Sequence, residues 1–319
     1  MPQEAANINA ELPVWFPGAM QAVERLFVAF KPPLSERLAQ TAARLSQMNG
    51  ATSIAGALTA MVATPGLALL EALRADYGIA VDDPQLQAIG EAALALYFYL
   101  RIQDDIVDEP ELLDRASVYV AEIFGSASQR AFAQALEGSP RFFAFREAIM
   151  AAFASAALWE VDHFRSGRED EADLMHMGQK FLPMAVPLGA VALLAGRPAH
   201  LDPLTEFATH FGIGLQLVND VLNVKEDHVK QRLTPVLRWL YAGGKIAPGE
   251  PPATIRVALL ADAALQRALT WAQEAMGQAE TIALGLGASR LAAIPRNRAA
   301  YTQSVPHRLL ALYFNVGEL

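Results

Sequence analysis

Apolar residues recur every three to four positions along almost the whole chain, the period of helices that bury one face. No stretch of useful length alternates apolar and polar residues as a surface strand would, and Val, Ile and Thr seldom cluster. Alanine and leucine, both strong helix formers, take their place. Helix-stopping punctuation falls at Lys31-Pro-Pro, Asn49-Gly, Asp82-Asp-Pro, Glu109-Pro, Gly138-Ser-Pro, Gly196-Arg-Pro, Asp202-Pro, the stretch from Gly243 to Pro252, and Gly285 to Gly287. Between these marks lie about ten helical segments, several longer than the ~11–12-residue average. No internal repeat or low-complexity linker divides them. The pattern predicts an all-α fold: one domain over residues 1–319, an antiparallel helical bundle around a central apolar cavity, with the Gly243–Pro252 stretch as a loop.

Composition sharpens this picture by exclusion. The chain has 319 residues, 53% of them hydrophobic and 18% charged, enough apolar material for a large core. The apolar runs over residues 56–73 and 181–196 are interrupted by Pro65, Pro183 and Pro187. They fall short of the ~20 residues that span a bilayer, so no transmembrane segment is expected. A net charge of −9 with no basic stripe argues against a nucleic-acid partner. The absence of cysteine excludes disulfides, thiol catalysis and thiolate metal sites. The six histidines show no zinc-like spacing. No basic region precedes an apolar core at the N-terminus, so the expected location is cytoplasmic.

Two polar stretches stand out against this apolar background. The first, Arg101-Ile-Gln-Asp104-Asp105-Ile-Val-Asp108-Glu109, closes the helical run that begins near Gln87. On a helix Tyr97, Arg101, Asp104 or Asp105, and Asp108 share a stripe. The proline after Glu109 ends the element. Carboxylates there face the negative end of the helix dipole, an unfavourable placement unless a cation or Arg101 offsets it. The second, Gln216-Leu-Val-Asn219-Asp220-Val-Leu-Asn223-Val-Lys-Glu-Asp227, lies in a run from about Pro203. Gly212, Gln216, Asn219 or Asp220, Asn223 and Asp227 fall on one stripe. Gly212 and Gly214 each weaken a helix by about 1 kcal/mol relative to alanine, which suggests close approach of another element or a ligand. Like charges at helical spacing repel, and desolvating them costs several kcal/mol each without a cation. Hard oxygen donors on two such stretches suit Mg²⁺, which takes few protein ligands and leaves room for phosphate.

In these residues the chain resembles the class I isoprenoid synthases, which include polyprenyl diphosphate synthases, squalene/phytoene synthases and class I terpene cyclases. Asp104-Asp-Ile-Val-Asp108 fits the first DDxxD motif of that group. The run from Asn219 to Asp227 stands where the second metal motif belongs and mixes three of its versions. Gln216 resembles the Gln of the polyprenyl synthases' FQxxDDxxD. Asn219, Asn223 and Asp227 resemble the cyclases' NDxxSxxxE. The ending Glu226-Asp227 resembles squalene/phytoene synthases. Gln179-Lys180-Phe-Leu, followed by an apolar helix, is similar to the segment whose lysine holds diphosphate in polyprenyl synthases. Order and spacing agree over roughly residues 90–240. The resemblance implies Mg²⁺ on Asp104, Asp108, Asn219, Asp220, Asn223 and Asp227, with Asp105 part of the same catalytic motif. It also implies that Arg101, Lys180, Gln216, Lys230 and Arg232 contact an allylic prenyl diphosphate. A homodimer is a further expectation from the resemblance.

The chain departs from the elongating enzymes at two places. Their basic motif for isopentenyl diphosphate has no counterpart in Gln47-Met-Asn-Gly-Ala-Thr-Ser-Ile-Ala-Gly56. After the first motif comes Glu109-Pro-Glu-Leu-Leu-Asp-Arg115, with one arginine where those enzymes carry two. An anionic second substrate without cationic partners is penalised by desolvation. The expected reaction is therefore ionisation of an allylic prenyl diphosphate followed by carbon–carbon bond formation, with cyclisation or prenyl coupling ranked ahead of elongation. A non-catalytic prenyl-diphosphate-binding subunit is the competing class of function.

Overall fold

The computed structural model describes residues 14–37, 40, 65–108, 115–163, 171–261 and 263–314. Among them there is no strand, and the all-α expectation holds. The helices are α1 (Phe16–Val28), α2 (Pro65–Asp76), α3 (Pro84–Asp108), α4 (Ser117–Ala135), α5 (Pro140–His163), α6 (Glu171–Gln179), α7 (Ala185–Leu194), α8 (Leu201–Val229), α9 (Pro235–Ala242), α10 (Pro252–Ala261), α11 (Ala263–Gly285), α12 (Ser289–Thr302) and α13 (Val305–Phe314). Short 3₁₀ turns, Leu182–Met184 and Pro198–His200, flank α7.

Proline opens α2, α3, α5, α9 and α10, where its missing N–H is one the helix could not use and its fixed φ already suits the helix. Thr234 caps α9 by accepting from the Leu237 N–H. At the far end of α7, Gly196 turns left-handed (φ 69°), and the Arg197 N–H bonds back to the Ala192 carbonyl at 2.8 Å, the arrangement that closes a helix on glycine. One stop is invisible in sequence: Gln231, with φ 55°, ends α8 without glycine.

The chain forms two compact units, neither continuous in sequence. The first comprises residues 1–146 and 186–199. Its main pairing is α3 with α4, antiparallel: Gln85 Nε2 donates to the Ala135 carbonyl, Ser128 Oγ to the Ala92 carbonyl, and Phe98 stacks on Phe124 at 5.0 Å. The ring of Trp15, the residue just before α1, lies over Gly90 of α3. A β-carbon there would stand 2.5 Å from the ring.

The second unit comprises residues 147–185 and 200–319. Its axis is α8, buried along Phe207, Phe211, Leu217, Val221 and Val224 and packed by α6, α9, α10 and α11. The close approach expected at Gly212 and Gly214 is present. An added β-carbon at Gly212 would meet Phe181 Cβ at 2.5 Å, and one at Gly214 would meet Met276 at 2.7 Å and the Ala272 carbonyl of α11 at 3.1 Å. Gly178 of α6 makes the reciprocal contact, 2.5 Å from the Thr209 carbonyl. Small residues on both partners let α6 and α11 approach the backbone of α8 closely.

Two segments are apolar and long enough to cross a membrane by length and composition alone, Pro140–Val161 and Leu174–Leu194. The second is 67% buried and broken by the first 3₁₀ turn, as a core segment is. The first, most of α5, is 17% buried.

Gly178→Ala is expected to destabilise the protein by about 1–3 kcal/mol, the usual cost of overpacking against backbone that cannot move aside. Gly277→Ala on α11 has nothing within 4 Å and is expected to be neutral or to stabilise by up to about 1 kcal/mol. Denaturant midpoints of the two variants check this directly.

Candidate active site

The first motif is built entirely within the first unit. Asp104 and Asp105 occupy the last turn of α3, and Asp108 is its final residue, with a side chain outside those described. The sequence left Asp104 or Asp105 open as the member of the inner stripe, and burial separates them. The Asp105 side chain is 2% exposed, whereas that of Asp104 is 46% exposed. Arg101 forks onto Asp105, Nη2 to Oδ1 at 2.7 Å and Nε to Oδ2 at 3.2 Å, and its Nη1 lies 3.8 Å from Asp104. Burial works against the Arg101 charge, but Asp105, the Tyr97 phenol and Asp104 outweigh it and hold the guanidinium above its ordinary range. Tyr97 itself is raised, by burial first, with Asp105 and Asp104 adding to the effect and Arg101 opposing it. Arg101 thus compensates the carboxylate that the dipole disfavours, and Asp104 is the one presented outward.

The second motif lies within the second unit on α8, and its residues divide between two environments. Asn219 is exposed and Asn223 half-buried, and Asn223 Nδ2 donates to Asn219 Oδ1 at 2.9 Å. Asp220 and Asp227 are 1% and 7% exposed. Gln216 Nε2 donates to Asp220 Oδ1 at 2.7 Å, while Asp220 Oδ2 is buried with no hydrogen-bond partner among the described residues. Burial first and the Asp227 carboxylate second push the Asp220 carboxyl well above the usual carboxylate range. The Gln216 hydrogen bond and Lys180 pull it down, and Glu160 adds to the push.

Lys180, in the turn after α6, joins this group through an ion pair with Glu160 of α5. The two residues stand 20 apart in the chain, a separation at which helical spacing carries no sign of the pairing. Trp159, next to Glu160, stacks on His176 of α6 at 4.8 Å and 12°.

The basic residues beyond the motif are placed less centrally. Lys230 pairs with Glu226 at 2.9 Å at the C-terminus of α8, and the Arg232 N–H bonds to the Asp227 carbonyl at 2.8 Å. An open groove of about 420 Å³, lined by Leu222, Asn223, Lys225, Glu226, Val229 and Lys230, runs along this end of the helix. Sequence reasoning also missed His228. It is 5% exposed and ties α8 to α9 and the following loop, through Tyr241 Oη on Nδ1 at 2.7 Å and the Glu250 carbonyl on Nε2 at 2.8 Å. Only the long loop between α9 and α10, with its conspicuous Gly and Pro content, hinted that something must fasten it. The segment Gln47–Gly56 and residues 109–114, where basic motifs were sought, lie outside the described residues.

These donors fit a hard divalent cation. They are all oxygens, and the unbonded Asp220 Oδ2 is an atom that such an ion would satisfy. Among the described residues no three His, Cys, Asp or Glu side chains converge as a preformed cage.

No family model matches the chain, and no curated protein matches it. Solved structures do. A polyprenyl synthase from Caulobacter crescentus CB15, complexed with calcium and isoprenyl diphosphate, superposes with a TM-score of 0.67 at 16% identity, over 89% of this chain and 95% of that one. This is the isoprenoid synthase fold. A decaprenyl diphosphate synthase from Rhodobacter capsulatus gives 0.60 at 16% identity over 90% and 99% of the two chains. A geranylgeranyl pyrophosphate synthetase from Pyrococcus horikoshii Ot3 gives 0.61 at 12% over 89% and 96%. The fold implied by the two motifs is therefore present along nearly the full length of these enzymes.

A carboxyl whose folded pKa is raised contributes stability that is present below its unfolded pKa, about 4, and is lost as pH rises through the folded value. In a chelating buffer, Asp220→Asn is therefore expected to melt above wild type at neutral pH. The gap should close as the pH approaches about 4. Paired thermal melts across pH measure it.

Proposed function

We propose that this protein is an isoprenoid synthase that ionises an allylic prenyl diphosphate and joins the allylic carbon to another carbon. The observation that carries the reading is the buried Asp220 carboxyl, with one oxygen unbonded and Asp227 beside it, on the helix that bears the second motif. A carboxylate cluster of this kind is an unstable arrangement until a cation arrives. Within each unit the motif's own oxygen donors, Asp104 and Asp108 on α3 and Asn219, Asp220, Asn223 and Asp227 on α8, would hold Mg²⁺. The ion would supply charge neutralisation of the departing diphosphate.

The chain's own residues do the rest. Arg101 fixes Asp105 and orients the end of α3, leaving Asp104 exposed for ligation. Lys180 and Arg232 donate to phosphate oxygens, where charge accumulates as the carbon–oxygen bond breaks. Apolar helices exclude water, so that a carbon nucleophile captures the allylic cation in its place.

For the finer reading we favour chain elongation, in which isopentenyl diphosphate supplies the attacking double bond. The structural neighbours named above are a polyprenyl synthase, a decaprenyl diphosphate synthase and a geranylgeranyl pyrophosphate synthetase, and this support reverses the ranking drawn from the missing basic residues. Cyclisation or coupling is the second reading. It is favoured by the lack of any Lys or Arg in Gln47–Gly56 and by Asn219 and Asn223 in the second motif.

Release of diphosphate from geranyl, farnesyl or geranylgeranyl diphosphate with Mg²⁺ is the test, with products resolved by chromatography with and without isopentenyl diphosphate. Longer prenyl diphosphates formed only with isopentenyl diphosphate support elongation, whereas hydrocarbons formed without it support cyclisation. Asp104→Ala is expected to reduce turnover by more than the roughly 10–100-fold typical of losing a group that merely orients a metal ligand. Turnover near wild type in that variant would remove the metal assignment.

We also propose a homodimer seated on α5. Ala148, Ala151, Ser155, Leu158 and Val161 follow one another at three- and four-residue steps, all exposed, with Leu158 at 68%. A face of small apolar side chains lets a second copy of the same helix approach closely. Light scattering on the eluting protein is expected to give twice the chain mass for wild type and the chain mass for Leu158→Glu; a monomeric wild type removes the proposal.

A further inference from the structure

We propose that Glu160 is a competing anion for Lys180, holding its ammonium while no diphosphate is bound, yielding it to phosphate, and so keeping the site from gripping the product diphosphate too tightly. The inference rests on the proposed diphosphate chemistry and adds a residue that opposes it.

The geometry starts from the ion pair itself. Glu160 comes from α5 and Lys180 from the turn after α6, and their side chains are 17% and 19% exposed. The stack of Trp159 on His176 braces α5 against α6 immediately beside the pair. Neither end of the bridge is thus a loose surface arm. The charged groups acting on Asp220 are Asp227 and Glu160, of like sign, and Lys180, of opposite sign. Lys180 is therefore paired with one carboxylate, Glu160, and acts on a second, Asp220, so an incoming phosphate must win it from Glu160.

A structural brace alone does not account for this choice of residues. Exchanging a buried ion pair for apolar residues of similar volume is often neutral or stabilising. A carboxylate placed on a phosphate-binding lysine costs affinity twice over. The pair must loosen before the ammonium can turn to phosphate, and the carboxylate left behind repels the dianionic ligand. That cost falls on the ground state of bound diphosphate, including the product, whose release sets the pace of many enzymes. Binding energy spent on tight ground-state binding does not raise kcat, so a built-in competitor is consistent with turnover.

The sign of the effect separates the two readings. Titration calorimetry of inorganic pyrophosphate into the full chain, at a fixed saturating Mg²⁺ concentration, compares wild type with Glu160→Gln, Glu160→Asp and Lys180→Gln. Glu160→Gln is expected to bind about tenfold more tightly, equivalent to ~1.4 kcal/mol. Lys180→Gln should bind more weakly than wild type. In the Lys180→Gln background, adding Glu160→Gln should gain less than it does alone. Should Glu160→Gln fold poorly by its melting curve, Glu160→Asp, with a shorter reach to the ammonium, is expected to shift affinity the same way by a smaller factor. A brace that merely positions Lys180 predicts weaker binding in both Glu160 variants, and that result, or unchanged affinity, would overturn the proposal. Failure of wild type and every variant to bind pyrophosphate would overturn the underlying diphosphate reading as well.

Discussion

A carboxyl group buried beside another carboxyl, with one oxygen unbonded, is the constraint around which the second unit is arranged. Asp220 is almost wholly enclosed on α8, yet Gln216 satisfies only one of its oxygens. The helix that carries it must be long, firmly packed and independently stable, because the site itself lends it nothing. The apolar face of Phe207, Phe211, Leu217, Val221 and Val224, and glycines that bring α6 and α11 onto its backbone, supply that stability. Natural proteins tolerate such local conflict chiefly at functional sites, where a ligand resolves it.

The two motifs manage the same electrostatic difficulty in different ways. On α3 the compensation is internal: Arg101 neutralises the buried Asp105 through a forked pair, and Asp104 is left available. On α8, among the described residues, no arginine forks onto Asp220 in the same way. Lys180, whose charge acts on Asp220, is held by Glu160. The first motif is thus preorganised as protein, whereas the second is left short of positive charge. Replacing the carboxylates of the DDxxD pattern with Asn219 and Asn223 relieves part of that shortage, since an amide oxygen ligates a hard cation without adding negative charge. The Asn223–Asn219 hydrogen bond then holds both amides in order.

Much of this was legible in the residues. Periodicity gave the helices, proline and glycine gave most of their ends, and Asp104–Asp108 with Asn219–Asp227 gave the two candidate oxygen-donor motifs. Legibility failed where the information is not local. Gln231 stops α8 with a left-handed backbone that its residue type does not announce. His228 looks like any helical histidine until Tyr241 and Glu250 are brought to its ring. Glu160 shows no partner at helical spacing along its own helix, because its partner Lys180 lies in another element.

The sequence by itself determined which segments are helical and which carry hard oxygen ligands, because both follow from residue type and short-range spacing along one helix. It could not choose between Asp104 and Asp105, or between Asn219 and Asp220, since adjacent residues on a helix lie about 100° apart and either can belong to the inner stripe. Tertiary packing made that choice by burying Asp105 and Asp220 and leaving Asp104 and Asn219 open. It also set Lys180 against Glu160. Burial and ion pairing depend on what the rest of the chain brings to a side chain, and that is a property of the fold and not of the motif.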